Sequence, residues 1–181
     1  MLIILTGCSQ SGKSTIADML LKDKRFIKLR TATTRKRREN ENEDSYYFLK
    51  KPDFDDKSKF FEYEKVHDNF YGVYKTELDE KLSSGKIVIW VLDPKGAKKL
   101  YTSLRKHLPE NAIFLFLHPG HEILAERIKK RKDKDMASRI KSMENELDCI
   151  DEGIYDYLVD TSLKPEETIK FINDILQKEL K

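Results

Sequence analysis

Short apolar runs alternate along the chain with longer stretches whose apolar residues recur at helical spacing. Leu2-Ile3-Ile4-Leu5, Ile87-Val88-Ile89-Trp90-Val91-Leu92 and Ala112-Ile113-Phe114-Leu115-Phe116-Leu117 are apolar throughout. A strand of that kind is covered on both faces, as in a parallel sheet held between helix layers. Phe26-Ile27-Lys28-Leu29 and Tyr157-Leu158-Val159 are weaker runs of the same sort. Between them the pattern predicts helices at 14–22, 95–107, 121–132, 137–150 and 165–178. The last opens on Pro165 followed by Glu166 and Glu167, residues suited to a first helical turn. Strands separated by helices predict right-handed crossovers in a three-layer α/β sandwich. The segment 31–82 breaks the rhythm. It is polar, aromatic and charged, with strand-like pieces such as Tyr46-Tyr47-Phe48-Leu49, and reads as an insertion carrying its own small sheet.

Gly7-Cys8-Ser9-Gln10-Ser11-Gly12-Lys13-Ser14-Thr15 follows the first apolar run directly and leads into the first helix. Strand, glycine loop and helix are the context in which G-x-x-x-x-G-K-S binds nucleoside triphosphate. The glycines let successive N–H groups turn inward on phosphate oxygens, and the helix start favours an anion. Lys13 is expected to reach the outer phosphates and to stabilise charge in the transition state, and the Ser14 hydroxyl to ligate Mg²⁺. Gly7, Ser9, Gln10, Ser11, Gly12, Lys13, Ser14 and Thr15 form the expected ATP site. The fold expected is therefore α/β of the P-loop NTPase type: a parallel core sheet, an inserted subdomain and a short helical lid.

Composition narrows the partners. Of 181 residues, 37% are charged, yet the net charge is only +3, too small to argue for nucleic acid. Small-molecule nucleotides are the expected partners, with no nucleic acid and no membrane, and the chain is expected to be a monomer or homodimer. Cys8 and Cys149 have no metal-ligand or disulfide spacing, and His67, His107, His118 and His121 share no metal spacing. With a core strand at the start and no long apolar run, the expectation is a cytoplasmic protein without a signal peptide.

Thr33-Thr34-Arg35-Lys36-Arg37-Arg38 places Arg35 and Arg38 where three-residue spacing can aim both at one anion. Arginine presents a planar fork that matches phosphate oxygens, and Tyr47 and Tyr71 could each add a hydroxyl. On the run alone, a solvated basic loop or a basic patch for RNA is the commoner reading. A donor site elsewhere in the chain favours a phosphorylated acceptor.

In order along the chain, Thr33-Thr34-Arg35-Lys36-Arg37-Arg38-Glu39-Asn40-Glu41, then Tyr47, Phe60-Phe61-Glu62, Asn69-Phe70-Tyr71-Gly72-Val73 and Asp93-Pro94-Lys95-Gly96-Ala97 resemble the acceptor-site signature of the guanylate kinases. The resemblance implies a nucleoside monophosphate kinase that moves the γ-phosphate of Mg-ATP to GMP, giving ADP and GDP. It implies that Arg35, Arg38, Tyr47 and Tyr71 hold the acceptor phosphate, with Glu41 ordering the arginines. Glu62 would read guanine N1–H and the 2-amino group, with Thr31 beside the base and Asp93 near the base and the metal's water shell. Lid arginines Arg127, Arg131 and Arg139 would surround the donor, Arg131 and Arg139 acting on the moving phosphoryl group. The implied division is a core of 1–30, 83–126 and 143–181, a GMP-binding insertion of 31–82 and a lid of 127–142. The chain departs from the signature at Val73, which stands for a Ser or Thr beside the base, and at Arg37, Asn40, Tyr46 and Lys95. The alternatives are a kinase for another (deoxy)nucleoside monophosphate, or a catalytically silent interaction module.

Overall fold

The computed structural model describes residues 1–37, 39, 41–66, 68–130, 150 and 153–180. In chain order the elements are β1 (Leu2–Thr6), α1 (Lys13–Leu20), β2 (Phe26–Lys28), β3 (Ala32–Thr33), β4 (Tyr47–Phe48), β5 (Phe60–Val66) and β6 (Asn69–Tyr74). There follow α2 (Lys75–Leu82), β7 (Ile87–Val91), α3 (Pro94–Lys99), β8 (Ala112–His118), α4 (His121–Lys130), β9 (Tyr157–Asp160) and α5 (Pro165–Glu179).

The apolar runs form one parallel sheet in the order β2-β7-β1-β8-β9. Alternation along β1 sorts its side chains between two layers. Ile3 and Leu5 pack with Ile16 and Leu20 of α1 and with Ile172 and Leu176 of α5. Leu2 and Ile4 face the other way, with Val88, Trp90, Phe114, Ala97 of α3 and Leu100 just beyond it. Residues Leu2 to Leu5 are all fully buried, which is why their run carries no polar position. The chain leaves β1 towards β2 on one side and later adds β8 on the other. Strand order thus reverses at the carboxyl end of β1, where open α/β sheets bind ligands.

The insertion carries a second sheet, β4-β3-β6-β5. Its own small core is aromatic: Phe60 stacks on Phe54 at 4.7 Å and on Tyr74 at 4.6 Å. Phe61 and Val73 turn instead towards the main core, Phe61 meeting the Trp90 ring edge-on at 6.3 Å. The strand-like run 46–49 forms a strand only at Tyr47–Phe48.

Two predicted helices differ. The first ends at Leu20, and the chain then turns, the Asp23 carboxylate accepting from the Arg25 N–H at 2.9 Å. The predicted 95–107 helix is regular only through Lys99 and widens over Leu100–Leu104. There the Thr102 hydroxyl donates to the Lys98 carbonyl at 2.9 Å, a back-bond that bends helices. Arg105 then folds onto the carbonyls of Pro109, Glu110 and Ala112 and ends the element. No helix among the described residues is long and apolar enough to cross a membrane.

Candidate active site

β1 feeds straight into the glycine loop. Gly7 has φ 144°, and a Cβ there would strike the Leu117 carbonyl oxygen of β8. Only glycine fits. Gln10 (φ 68°) and Gly12 (φ 95°) are also left-handed, the backbone that turns consecutive amides towards an anion. Gly12 caps α1 without a side-chain hydrogen bond, so the first helical amides remain available to a ligand. Lys13 Nζ donates to the carbonyls of Gly7 (2.6 Å) and Cys8 (2.8 Å), which holds the ammonium against the loop. Thr161 Oγ1 donates to the Ser11 carbonyl at 2.7 Å. Arg127 of α4 donates to the carbonyls of Gln10 (3.3 Å) and Thr161 (3.1 Å). A cavity of about 560 Å³ opens against residues 9–16, with Arg127, Thr161, Leu163 and Pro165 completing its wall.

A second cavity, about 270 Å³, adjoins the first, and Ser14 belongs to the walls of both. Thr31, Arg35, Glu41, Tyr46 and Tyr71 line its far side. Arg35 Nη2 pairs with Glu41 Oε1 at 2.7 Å, with only 16% and 15% of the two side chains exposed. The hydrogen bond that Arg35 donates to Glu41 raises the guanidinium pKa above its ordinary value. The guanidinium carbon stands 5.3 Å from the Tyr46 ring, and the Tyr46 and Tyr71 rings meet edge-on at 6.5 Å. A fixed guanidinium beside two phenols has the chemistry to receive phosphate oxygens.

Tyr47, expected in this wall, faces the other way, and Tyr46 stands in its place. Successive residues of a strand point to opposite faces. Tyr46 shares its face with Phe48, 5.9 Å between ring centroids. The Tyr47 hydroxyl instead donates to Glu77 Oε2 at 2.9 Å, while Glu77 Oε1 accepts from the Arg30 N–H at 3.0 Å. Burial, then the Glu77 carboxylate, raises the Tyr47 pKa and keeps it a donor.

At the third corner, Glu62 on β5 is 13% exposed and pairs with Lys99 Nζ of α3 at 2.9 Å. Lys99 also donates to the Tyr63 carbonyl at 2.9 Å, and Glu64 lies 3.8 Å away. Burial pushes the Glu62 carboxyl above its ordinary value. Lys99 opposes the shift, and the charges of Glu64 and Asp93 add to it. Asp93 lies at the carboxyl end of β7 and caps α3, accepting from the Gly96 N–H at 2.7 Å. Val73, expected beside an acceptor base, pairs with Glu62 across β5 and β6 but is fully buried among Leu29, Leu78 and Trp90. It offers no surface to a ligand here. Among the described residues no three His, Cys, Asp or Glu side chains gather into a metal cluster.

These corners coincide with a known sequence pattern over the full chain. The family model described as guanylate kinase matches residues 1–179. The chain belongs to the guanylate kinase family. It is 35% identical to a guanylate kinase of Clostridium acetobutylicum over 99% of this chain and 86% of that one. It is also 35% identical to one of Rickettsia felis, over 99% and 94%. A crystal structure of guanylate kinase from Anaplasma phagocytophilum superposes with a TM-score of 0.73 at 27% identity, covering 99% of this chain and 85% of that one.

Within this guanylate kinase fold, Ser9 to Thr15 and Arg127 come together at one cavity, with Gly7 behind it accepting from Lys13, and Thr31, Arg35, Glu41 and Tyr71 come together at the other. Arg38, Arg131 and Arg139 lie outside the described residues. α4 runs unbroken through Arg127, where the lid was expected to begin. Tyr46 enters the sequence reading only as a departure from the signature, and Asp18, Lys28, Lys99 and Thr161 are not among its candidate site residues. Strand parity around Phe48 could have found Tyr46. Nothing local marks Thr161 or Lys99, whose partners lie at Ser11 and Glu62.

Proposed function

We propose that two phosphate sites meeting at Ser14 perform the transfer, and that this shared wall is the observation carrying the assignment. The chain is an ATP-dependent guanylate kinase, and its substrates are ATP and GMP. In this reading the loop amides and Lys13 hold the ATP phosphates, with Arg127 over the same cavity. Arg35, Tyr46 and Tyr71 hold the GMP phosphate, Glu41 fixes Arg35, and Glu62 reads guanine, with Thr31 and Asp93 near the nucleoside. Arg38 is assigned to the acceptor phosphate and Arg131 and Arg139 to the transferring group, on the family resemblance alone.

The residues present suit Mg²⁺. That ion takes one or two protein oxygens together with substrate phosphates and water. Ser14 lines both cavities and Asp18 lines the acceptor one; Ser14 is assigned as direct ligand and Asp93 as a contact through water. When bound, the ion neutralises charge on phosphate oxygens. An acceptor phosphate oxygen attacks the γ-phosphorus in line, the bond to the β–γ bridging oxygen breaks, and ADP leaves. No general base is required, since the attacking oxygen is already ionised. The chain's part is alignment and positive charge.

The working division is a core, a GMP-binding insertion of 31–82 and a lid of 127–142. We read the protein as cytoplasmic, a monomer or homodimer, acting on free nucleotides rather than nucleic acid. The test is a panel of nucleoside monophosphates assayed with ATP and Mg²⁺. GMP turnover is expected to exceed AMP turnover by orders of magnitude, because adenine cannot satisfy Glu62. Lys13→Ala is expected to abolish turnover with an unchanged circular dichroism spectrum. Preference for another base, or near-normal activity of that variant, would overturn the reading.

A further inference from the structure

Lys28 ends β2 at the same sheet edge as the glycine loop. Strand alternation points it to the side of Phe26, where that ring joins the core. An apolar residue would extend the core there, yet the position holds a half-buried cation that lines the 270 Å³ cavity with Ser14, Arg35, Tyr46 and Tyr71. Its local partners are weak: the Ser45 carbonyl at 3.3 Å and the Tyr46 ring at 6.0 Å. It makes no ion pair with any described residue. Of the nearby acids, Glu41 is held by Arg35 and Asp18 acts only through its field. Burial lowers the Lys28 pKa, with Arg30 adding to the effect, so its charge is carried at a cost. A half-buried ammonium that makes no ion pair among the described residues and lines the cavity of Arg35, Tyr46 and Tyr71 is matched by a dianionic ligand.

We propose that Lys28 is a further phosphate-binding residue of the acceptor site, lining the same cavity as Arg35 and donating to the monophosphate of GMP. This rests on the assignment of that cavity to the acceptor phosphate. Lys28 binds the phosphate and not the base, since Glu62 and Lys99 stand at another corner and do not line this cavity.

Steady-state kinetics with ATP and Mg²⁺ test it, alongside competition by guanosine, which has the base but no phosphate. A charge-assisted hydrogen bond sets the expected scale: Lys28→Met raises KM for GMP by about 10- to 100-fold. The inhibition constant of guanosine and KM for ATP stay within about twofold, and Lys28→Arg recovers most of the loss. Lys28→Gln gives the same reading if the methionine variant does not fold. The proposal is overturned if KM for GMP is unmoved, or if guanosine weakens as much as GMP. Wild-type protein that binds ATP but does not turn over GMP would instead defeat the acceptor-site assignment itself.

Discussion

Glu62 carries the base-reading assignment on one carboxylate. Guanine offers two adjacent donors, so the acceptor must be ionised. Burial lifts this carboxyl above its ordinary 4.5, and Lys99 restrains the shift. GMP binding therefore weakens as pH falls through the raised value, while ATP binding has no such limb. Lys99→Met is expected to move the limb to higher pH, and Glu62→Gln to abolish it; pH profiles of KM for each substrate decide. The consequence for folding has the opposite sense. Between 4.5 and the raised value the native state holds more proton than the unfolded chain, so stability declines as pH rises across that window. The presence of an acid here was legible in Phe60-Phe61-Glu62. Its ion pair with Lys99 was not, because the partners are 37 positions apart and join the insertion to the core.

β4 shows how an element of two residues decides a role. Tyr46 and Tyr47 are chemically alike, and only strand parity separates them. Tyr46→Phe is expected to raise KM for GMP by roughly tenfold, the scale of one hydrogen bond, with little loss of stability. Tyr47→Phe is expected to leave KM near normal and to cost about 1–3 kcal/mol in urea unfolding, because buried Glu77 loses its donor. Reversal of these effects would return Tyr47 to the phosphate wall. The long parallel strands were legible because their period and burial leave little choice. The widened turn after Lys99 was not, since it follows from the Thr102 back-bond and the later fold-back of Arg105. Pattern reading works where burial alone dictates sequence, and fails where one side chain redirects the backbone.

At the scale of the whole molecule, the two cavities share Ser14 in their walls. A bisubstrate compound joining adenosine and guanosine through a polyphosphate should then occupy both at once. Linking the two binding events raises the effective concentration of the second. Calorimetry is expected to give an affinity at least about 100-fold above that of ATP or GMP alone. Affinity no better than the stronger single nucleotide would place the sites too far apart for direct transfer. Two candidate phosphate-binding motifs were readable in one chain, whereas the sharing of Ser14 between two cavities was not, because it depends on how the insertion packs on the core.

Trp90 is the only tryptophan in the chain, fully buried in β7. Its ring touches Phe61, a residue of the insertion. The indole therefore sits at the seam between insertion and core, a native optical gauge of that seam. Emission from unlabelled protein follows strain arriving through Phe61, and titration with guanosine separates that signal from events on the phosphate side.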